Sequence, residues 1–76
     1  MKTVVLTEND FQSKDAFINA FNKETGGDIR KIVTNSPTRD SSTCLYWDVM
    51  MPSGNYELKF SADDEFFVLS KEVGHE

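Results

Sequence analysis

The chain has 76 residues, a formal net charge of −5 and a single cysteine. A chain of this length forms one domain that buries only about 60% of its unfolded surface, so low stability is expected unless a disulfide or a metal adds to it. One cysteine cannot form an internal disulfide, and no four-ligand zinc spacing is present. The sequence therefore predicts a single small domain over residues 1–76 without covalent or metal cross-links.

The charge balance and the apolar runs exclude several classes of protein. Thirteen acidic residues against eight basic ones disfavour binding to the phosphates of nucleic acid or to anionic lipid. The N-terminal apolar run is too short for a signal peptide, and no run approaches the roughly 20 apolar residues of a membrane span. A lone thiol fits a reducing compartment. We therefore expect a cytoplasmic protein without membrane contact.

The first predicted element is a strand over residues 2–6. It contains the β-branched residues Thr3, Val4 and Val5 in succession, and such residues favour strands. A near-continuous apolar run is typical of a strand that is buried on both faces or placed centrally in a sheet. We therefore expect this strand to be well covered, while its sequence leaves both a central and an edge position open.

A helix is predicted over residues 14–23, and two start signals compete for it. Thr7 and Asp10 resemble a capping box, whereas Ser13 is placed to cap a helix that starts one residue later. Ser13 is preferred because it leaves an apolar stripe at helical spacing. That stripe consists of Ala16, Phe17, Ala20 and Phe21, broadened by Ile18. Residues 25–27 contain two glycines and are expected to end the helix.

The middle of the chain predicts a second strand and then a loop. The strand is placed at residues 28–34, on Ile29, Ile32 and Val33, although their alternation is imperfect. Residues 35–42 form a polar segment of turn-forming residues and predict a loop that connects two strands or carries a contact surface.

The second half of the chain predicts an antiparallel meander. Apolar residues alternate along a first strand, at Leu45, Trp47, Val49 and Met51. Apolar residues alternate again along a second strand, at Tyr56, Leu58 and Phe60. An acidic turn then precedes an apolar run at residues 66–69, and residues 71–76 predict a frayed tail. Alternation with period two, interrupted by turn residues, is typical of antiparallel strands with one face in water.

The predicted element order is β-α-β-β-β-β. It implies an α+β fold in which one helix packs on a four- to five-stranded, mainly antiparallel sheet, as a two-layer sandwich. The helix phenylalanines are expected to contact one face of the meander, at Trp47, Val49, Leu58 and Phe60.

Catalysis and metal binding find little support in the sequence. Cys44 would need a base to act as a nucleophile, and the only histidine, His75, is the penultimate residue. Asp63, Asp64 and Glu65 are adjacent, whereas calcium loops space their ligands at alternate positions over about twelve residues. No nucleotide-binding motif is present. The sequence therefore predicts a protein that is not an enzyme and that uses no cofactor or metal.

The outward face of the meander is the predicted binding surface. If Trp47 points into the core, Tyr46 points outward together with Asp48 and Met50. Phe66 and Phe67 cannot both face the core. Mixed apolar and acidic faces of this kind often mark protein contacts. The predicted partner-binding residues are Tyr46, Asp48, Met50, Glu57, Asp63, Asp64 and Glu65.

The leading functional hypothesis is a small acidic, non-enzymatic protein-interaction module. It would mask a basic surface of a nucleic-acid-handling protein, in the manner of small phage- or plasmid-encoded inhibitors; that comparison rests on size and charge alone. One alternative is a nucleic-acid-associated domain that uses aromatic residues of the sheet, which the acidic charge disfavours. Another is a structural or assembly subunit, and a homodimer stays open.

Overall fold

A computed structural model describes residues 2–73 of the chain. Its strands are β1 (Lys2–Thr7), β2 (Arg39–Asp40), β3 (Cys44–Met51), β4 (Gly54–Ser61) and β5 (Phe66–Glu72). Its helices are α1 (Lys14–Thr25) and the four-residue α2 (Ile29–Ile32), and a single 3-10 turn lies at Glu8–Asp10. The five strands form one antiparallel sheet in the order β1-β5-β4-β3-β2, with α1 as the main helix. The predicted α+β class is confirmed.

Helix α1 has the predicted capping residues at its two ends. The Ser13 hydroxyl accepts a hydrogen bond from the Ala16 N–H at 3.2 Å, so Ser13 is the N-cap. Gly26 adopts a left-handed conformation with φ 75°, and its N–H donates to the Asn22 carbonyl at 2.8 Å. Such a C-cap favours glycine because other residues meet steric strain there. The helix ends at Thr25, two residues later than predicted.

The apolar face of α1 closes a single core against the sheet. Phe17 and Phe21 are fully buried and Ile18 nearly so, whereas Ala16 is exposed, so the buried stripe is narrower than predicted. The Phe17 ring stacks on that of Phe67 in β5, with 6.3 Å between centroids. The sheet and α2 supply the other buried apolar residues: Ile29, Trp47, Val49, Tyr56, Leu58 and Leu69. Full burial of each large side chain contributes about 1.5–3 kcal/mol.

The prediction of a strand over residues 28–34 is wrong, because this segment contains helix α2. The apolar residues are Ile29, Ile32 and Val33, and their spacing of three residues and then one fits the period of a helix. All three are β-branched, which favours the prediction of a strand instead. The Asp28 carboxylate caps the helix by accepting from the Arg30 N–H at 3.0 Å. Ile29 is 3% exposed and lies in the core.

The short strand β2 lies instead within the predicted polar loop at residues 35–42. It pairs antiparallel with β3, with Arg39 opposite Tyr46. Further hydrogen bonds join the loop to β3. Among them, the Trp47 indole N–H donates to the Asn35 carbonyl at 2.9 Å, and the Asp48 N–H donates to the Thr38 hydroxyl at 3.1 Å. The chain thus has the predicted number of strands after the main helix, but helix α2 precedes them and the second strand lies later than predicted.

The meander has the predicted alternation. Strands β3 and β4 pair with Trp47 opposite Leu58, and β4 and β5 pair with Leu58 opposite Leu69. These side chains share the face that α1 covers, and Phe67 lies on that face while Phe66 lies on the other. The prediction that the two phenylalanines face opposite sides agrees with this register.

Strand β1 lies at the edge of the sheet, which is one of the two positions that its sequence allows, and the prediction that it is buried on both faces is wrong. It pairs only with β5, and Val4 is 62% exposed. The register shifts between Val4 and Leu6, which marks a bulge. Lys2 pairs with Glu72, so β5 continues into the segment predicted as a frayed tail. The rest of that predicted tail, residues 74–76, lies outside the described residues.

Candidate protein-binding face

One face of the sheet is covered by α1, and no element within residues 2–73 covers the opposite face, which we call the open face. Strand alternation and register place on it residues from all five strands. They are Lys2, Val4, Thr7, Arg39, Cys44, Tyr46, Asp48, Met50, Asn55, Glu57, Lys59, Ser61, Phe66, Val68, Ser70 and Glu72. The open face therefore mixes apolar side chains with charges of both signs.

The structure brings four of the predicted partner-binding residues onto one face and places the other three in the turn beyond the Cys44 end of β3. Tyr46, Asp48, Met50 and Glu57 lie on the open face, in adjacent rows of the β3–β4 pair. The acidic turn at residues 63–65 follows Ser61, which pairs with Cys44 at the opposite end of β3 from Met50. Six residues of strand span about 20 Å, so Met50 and the acidic turn belong to different regions of the surface.

Glu57 is the centre of a charge network on the open face. Its carboxylate contacts the Lys2 ammonium at 2.6 Å and the Arg39 guanidinium at 3.3 Å, and its side chain is only 15% exposed. The same guanidinium lies 4.0 Å from the centroid of the Tyr46 ring, a cation–π contact. Two cations thus compensate Glu57, and Arg39 covers part of Tyr46. Sequence reasoning could not place Lys2 and Arg39 here, because they come from distant strands.

An acidic cleft lies at the Met50 end of the open face. It has a volume of about 110 Å³ and is lined by Asp48, Met50, Asn55, Tyr56 and Glu72. Met50 is 75% exposed at its rim. Within residues 2–73, neither Asp48 nor Glu72 takes part in an ion pair. The cleft therefore presents two uncompensated carboxylates beside an exposed thioether.

Two residues of the acidic cleft, Asn55 and Glu72, were missed by sequence reasoning. Glu72 fell within the predicted frayed tail, although the alternation that starts at Phe66 continues to it with period two. The turn-forming residues at 52–55 predict a turn that includes Asn55, whereas Asn55 lies opposite Met50 in the β3–β4 pair.

The acidic turn has a structural arrangement of its own. The Ser61 hydroxyl donates to the Asp64 carboxylate at 3.1 Å and accepts from the Asp64 N–H at 3.4 Å. Glu65 has a positive φ of 58°, which closes the turn before β5. Asp63 and Glu65 are exposed. No group of three or more potential ligands within residues 2–73 is arranged to hold a metal ion.

Cys44 and most aromatic residues occupy structural positions. Cys44 is a partly buried free thiol, and the histidine considered as its base, His75, lies outside the described residues. Trp47 and Tyr56 are 7% and 3% exposed and belong to the core. Of the aromatic residues within 2–73, Tyr46 and Phe66 are those that the register places on the open face.

No protein-family model, curated protein or solved structure matches the chain. Across residues 2–73, none of the helices combines the length and the apolar character needed to cross a membrane. The open face and its acidic cleft are therefore the features from which a function has to be inferred.

Proposed function

We propose that the chain is a non-enzymatic binding module whose open face docks on a basic region of a protein partner. The observation that carries this proposal is the acidic cleft, where Asp48 and Glu72 have no ion-pair partner within the described residues and Met50 is 75% exposed. A lysine or arginine of the partner would lay its aliphatic stem against Met50 and place its charge between the two carboxylates.

The rest of the open face supports the same kind of contact. Tyr46 with its stacked Arg39 offers an aromatic and guanidinium pair, residue types that are enriched at interface hot spots. Exposed Asp63 and Glu65 at the far end add to a net charge of −5 that would steer a basic partner toward the chain. A nucleic-acid-handling protein has such a basic surface, and covering it would inhibit that protein.

The chemistry of the cleft can be tested with a hexa-arginine peptide as the probe. In a titration followed by backbone amide resonances, the shifts are expected at the amides of Asp48, Met50, Asn55 and Glu72. The double variant Asp48→Asn/Glu72→Gln should bind about tenfold more weakly, a loss of about 1.4 kcal/mol.

The matched control for this experiment is Asp10→Asn/Asp15→Asn, which removes the same number of charges on the helical side. It should change the affinity less than the cleft variant does. Equal losses for the two variants, or shifts spread over all acidic segments, would mean that the peptide senses only net charge and would contradict the proposal.

The same pair of variants distinguishes a natural partner from proteins that bind to any acidic surface. Proteins of the source cell that wild type and Asp10→Asn/Asp15→Asn retain, and that the cleft variant releases, are the expected partners. Salt-sensitive affinity for single-stranded DNA or RNA would instead favour the nucleic-acid alternative and contradict the proposal. Concentration-dependent oligomers in light scattering that the cleft variant abolishes would favour an assembly subunit.

A further inference from the structure

A second concavity lies away from the open face, on the helical side of the sheet. It has a volume of about 330 Å³, which is within the roughly 300–1,000 Å³ typical of small-molecule sites. We call it the amphipathic groove. Its lining residues are Lys14, Phe17, Ile18, Ile29, Arg30, Val33 and Phe67, from α1, α2 and its C-terminal end, and β5.

The lining of the groove is apolar apart from two cations. Lys14 and Arg30 lie along it, and no carboxylate lines it, although the chain has thirteen acidic residues against eight basic ones. The Lys14 ammonium lies 5.7 Å from the centroid of the Phe67 ring, so it is held against the apolar lining. The groove therefore has the polarity opposite to that of the chain as a whole.

Both cations have only loose carboxylate neighbours. Lys14 lies 3.8 Å from a Glu8 oxygen, and Arg30 lies 4.0 Å from an Asp15 oxygen. The side chains of Lys14 and Arg30 are 62% and 68% exposed. Arg30 and Asp15 form an exposed pair, and such pairs are weak. Glu8 is only 14% exposed and accepts a hydrogen bond from the Phe67 N–H, but the Lys14 ammonium at 3.8 Å lies beyond hydrogen-bond distance from it. Both cations can therefore turn to a ligand anion.

We propose that the amphipathic groove binds a small amphipathic carboxylate, of which a medium-chain fatty carboxylate such as octanoate is representative. The hydrocarbon chain would contact Val33 and Phe67, and the carboxylate would lie between Lys14 and Arg30. Charge complementarity selects an anion over a neutral or cationic amphiphile, and the volume suits a small molecule. This site is separate from the open face, so it does not depend on the function proposed above.

Titrations of the whole chain with octanoate, octanol and octylammonium test the proposal, each below its self-association concentration. Octanoate is expected to bind saturably and to shift the amide resonances of Arg30, Val33 and Phe67. Octanol should bind about tenfold more weakly, because it lacks the charge-assisted hydrogen bonds, and octylammonium more weakly still. Equal binding of octanoate and octanol, or shifts without saturation, would overturn the proposal.

Paired variants test which cations the binding of octanoate depends on. Lys14→Gln/Arg30→Gln should weaken octanoate binding about tenfold and leave octanol binding unchanged. Both side chains are well exposed, so this variant should keep its amide spectrum apart from local shifts. The control Lys23→Gln/Lys31→Gln removes two exposed cations outside the groove lining and should bind octanoate like wild type. An equal loss in the control would show that net charge alone controls binding and would refute the site.

Discussion

Phe17 joins several aromatic side chains of the core. It is fully buried, and its ring contacts those of Phe11, Phe21 and Phe67 at centroid distances of 5.8, 6.2 and 6.3 Å. Phe17→Ala should lower the free energy of unfolding by about 3–5 kcal/mol, since it removes a large buried side chain and leaves a cavity. In a domain of this size that loss is close to the whole stability.

Urea unfolding followed by far-ultraviolet circular dichroism measures this loss. Phe17→Leu, which keeps most of the volume, should show a smaller decrease and still unfold cooperatively. Val4→Ala, at a position that is 62% exposed, is the control and should change the free energy by less than about 0.5 kcal/mol. A Phe17→Ala protein with the wild-type midpoint would contradict the described core.

Glu57 tests whether the charge network of the open face stabilises the fold. The carboxylate is mostly buried, whereas the side chains of Lys2 and Arg39 are 44% and 61% exposed. Glu57→Gln should therefore lower the free energy of unfolding by only about 1 kcal/mol, and by less at high salt. Glu72→Gln, which removes no ion pair within the described residues, should have a smaller effect. Urea titrations at low and high salt measure both, and a salt-independent loss would point to packing instead.

At the scale of elements, the contribution of the α1 C-cap to stability can be measured separately from packing effects. A Cβ added at Gly26 would meet no atom within 4 Å, so the only penalty of Gly26→Ala is the strain of a φ of 75°. We expect a loss of about 1 kcal/mol in thermal or urea unfolding. Gly26→Asn should lose less, because asparagine tolerates the left-handed region. If alanine and asparagine proved equivalent, the left-handed C-cap would not be what selects glycine.

The helices and strands also show which sequence signals are sufficient to predict the fold. The start and end of α1 and the alternation of β3 to β5 were predictable because caps and period-two patterns act locally. Residues 28–34 were misassigned because β-branched residues favoured a strand, while their helical spacing and the Asp28 cap indicated α2. The exposure of Val4 could not be predicted, because edge and central strands share one apolar pattern until pairing is known.

The candidate sites also differ in how far local sequence patterns predict them. Tyr46, Asp48 and Met50 were assigned to one face by alternation within a single strand, which the register supports. The acidic cleft required Glu72 to join them, and that depends on the pairing of β4 with β5. The amphipathic groove brings Lys14 near Arg30 through the packing of α1 on α2, which no local sequence pattern indicates.

At the scale of the whole molecule, the strand order makes the two ends of the chain interdependent. β1 pairs with β5, so within residues 2–73 the first strand joins the sheet through the last one. The buried residues of α1, α2, β3, β4 and β5 form one cluster, against which Leu6 of β1 also packs. A single core shared by all layers predicts that residues 2–73 unfold as one cooperative unit.

This cooperativity can be tested across the sheet with Trp47 as the reporter. Trp47 is 7% exposed in β3, which two strands separate from β1. Leu6→Ala removes a partly buried side chain from β1 and should lower the free energy of unfolding by about 1–3 kcal/mol. If the sheet unfolds as one unit, the urea midpoint of Trp47 fluorescence should fall together with that of circular dichroism, although Leu6 lies at the far edge. Val4→Ala should leave both midpoints in place. A Trp47 midpoint that stayed at the wild-type value in Leu6→Ala would mean that β1 detaches independently of the rest of the sheet.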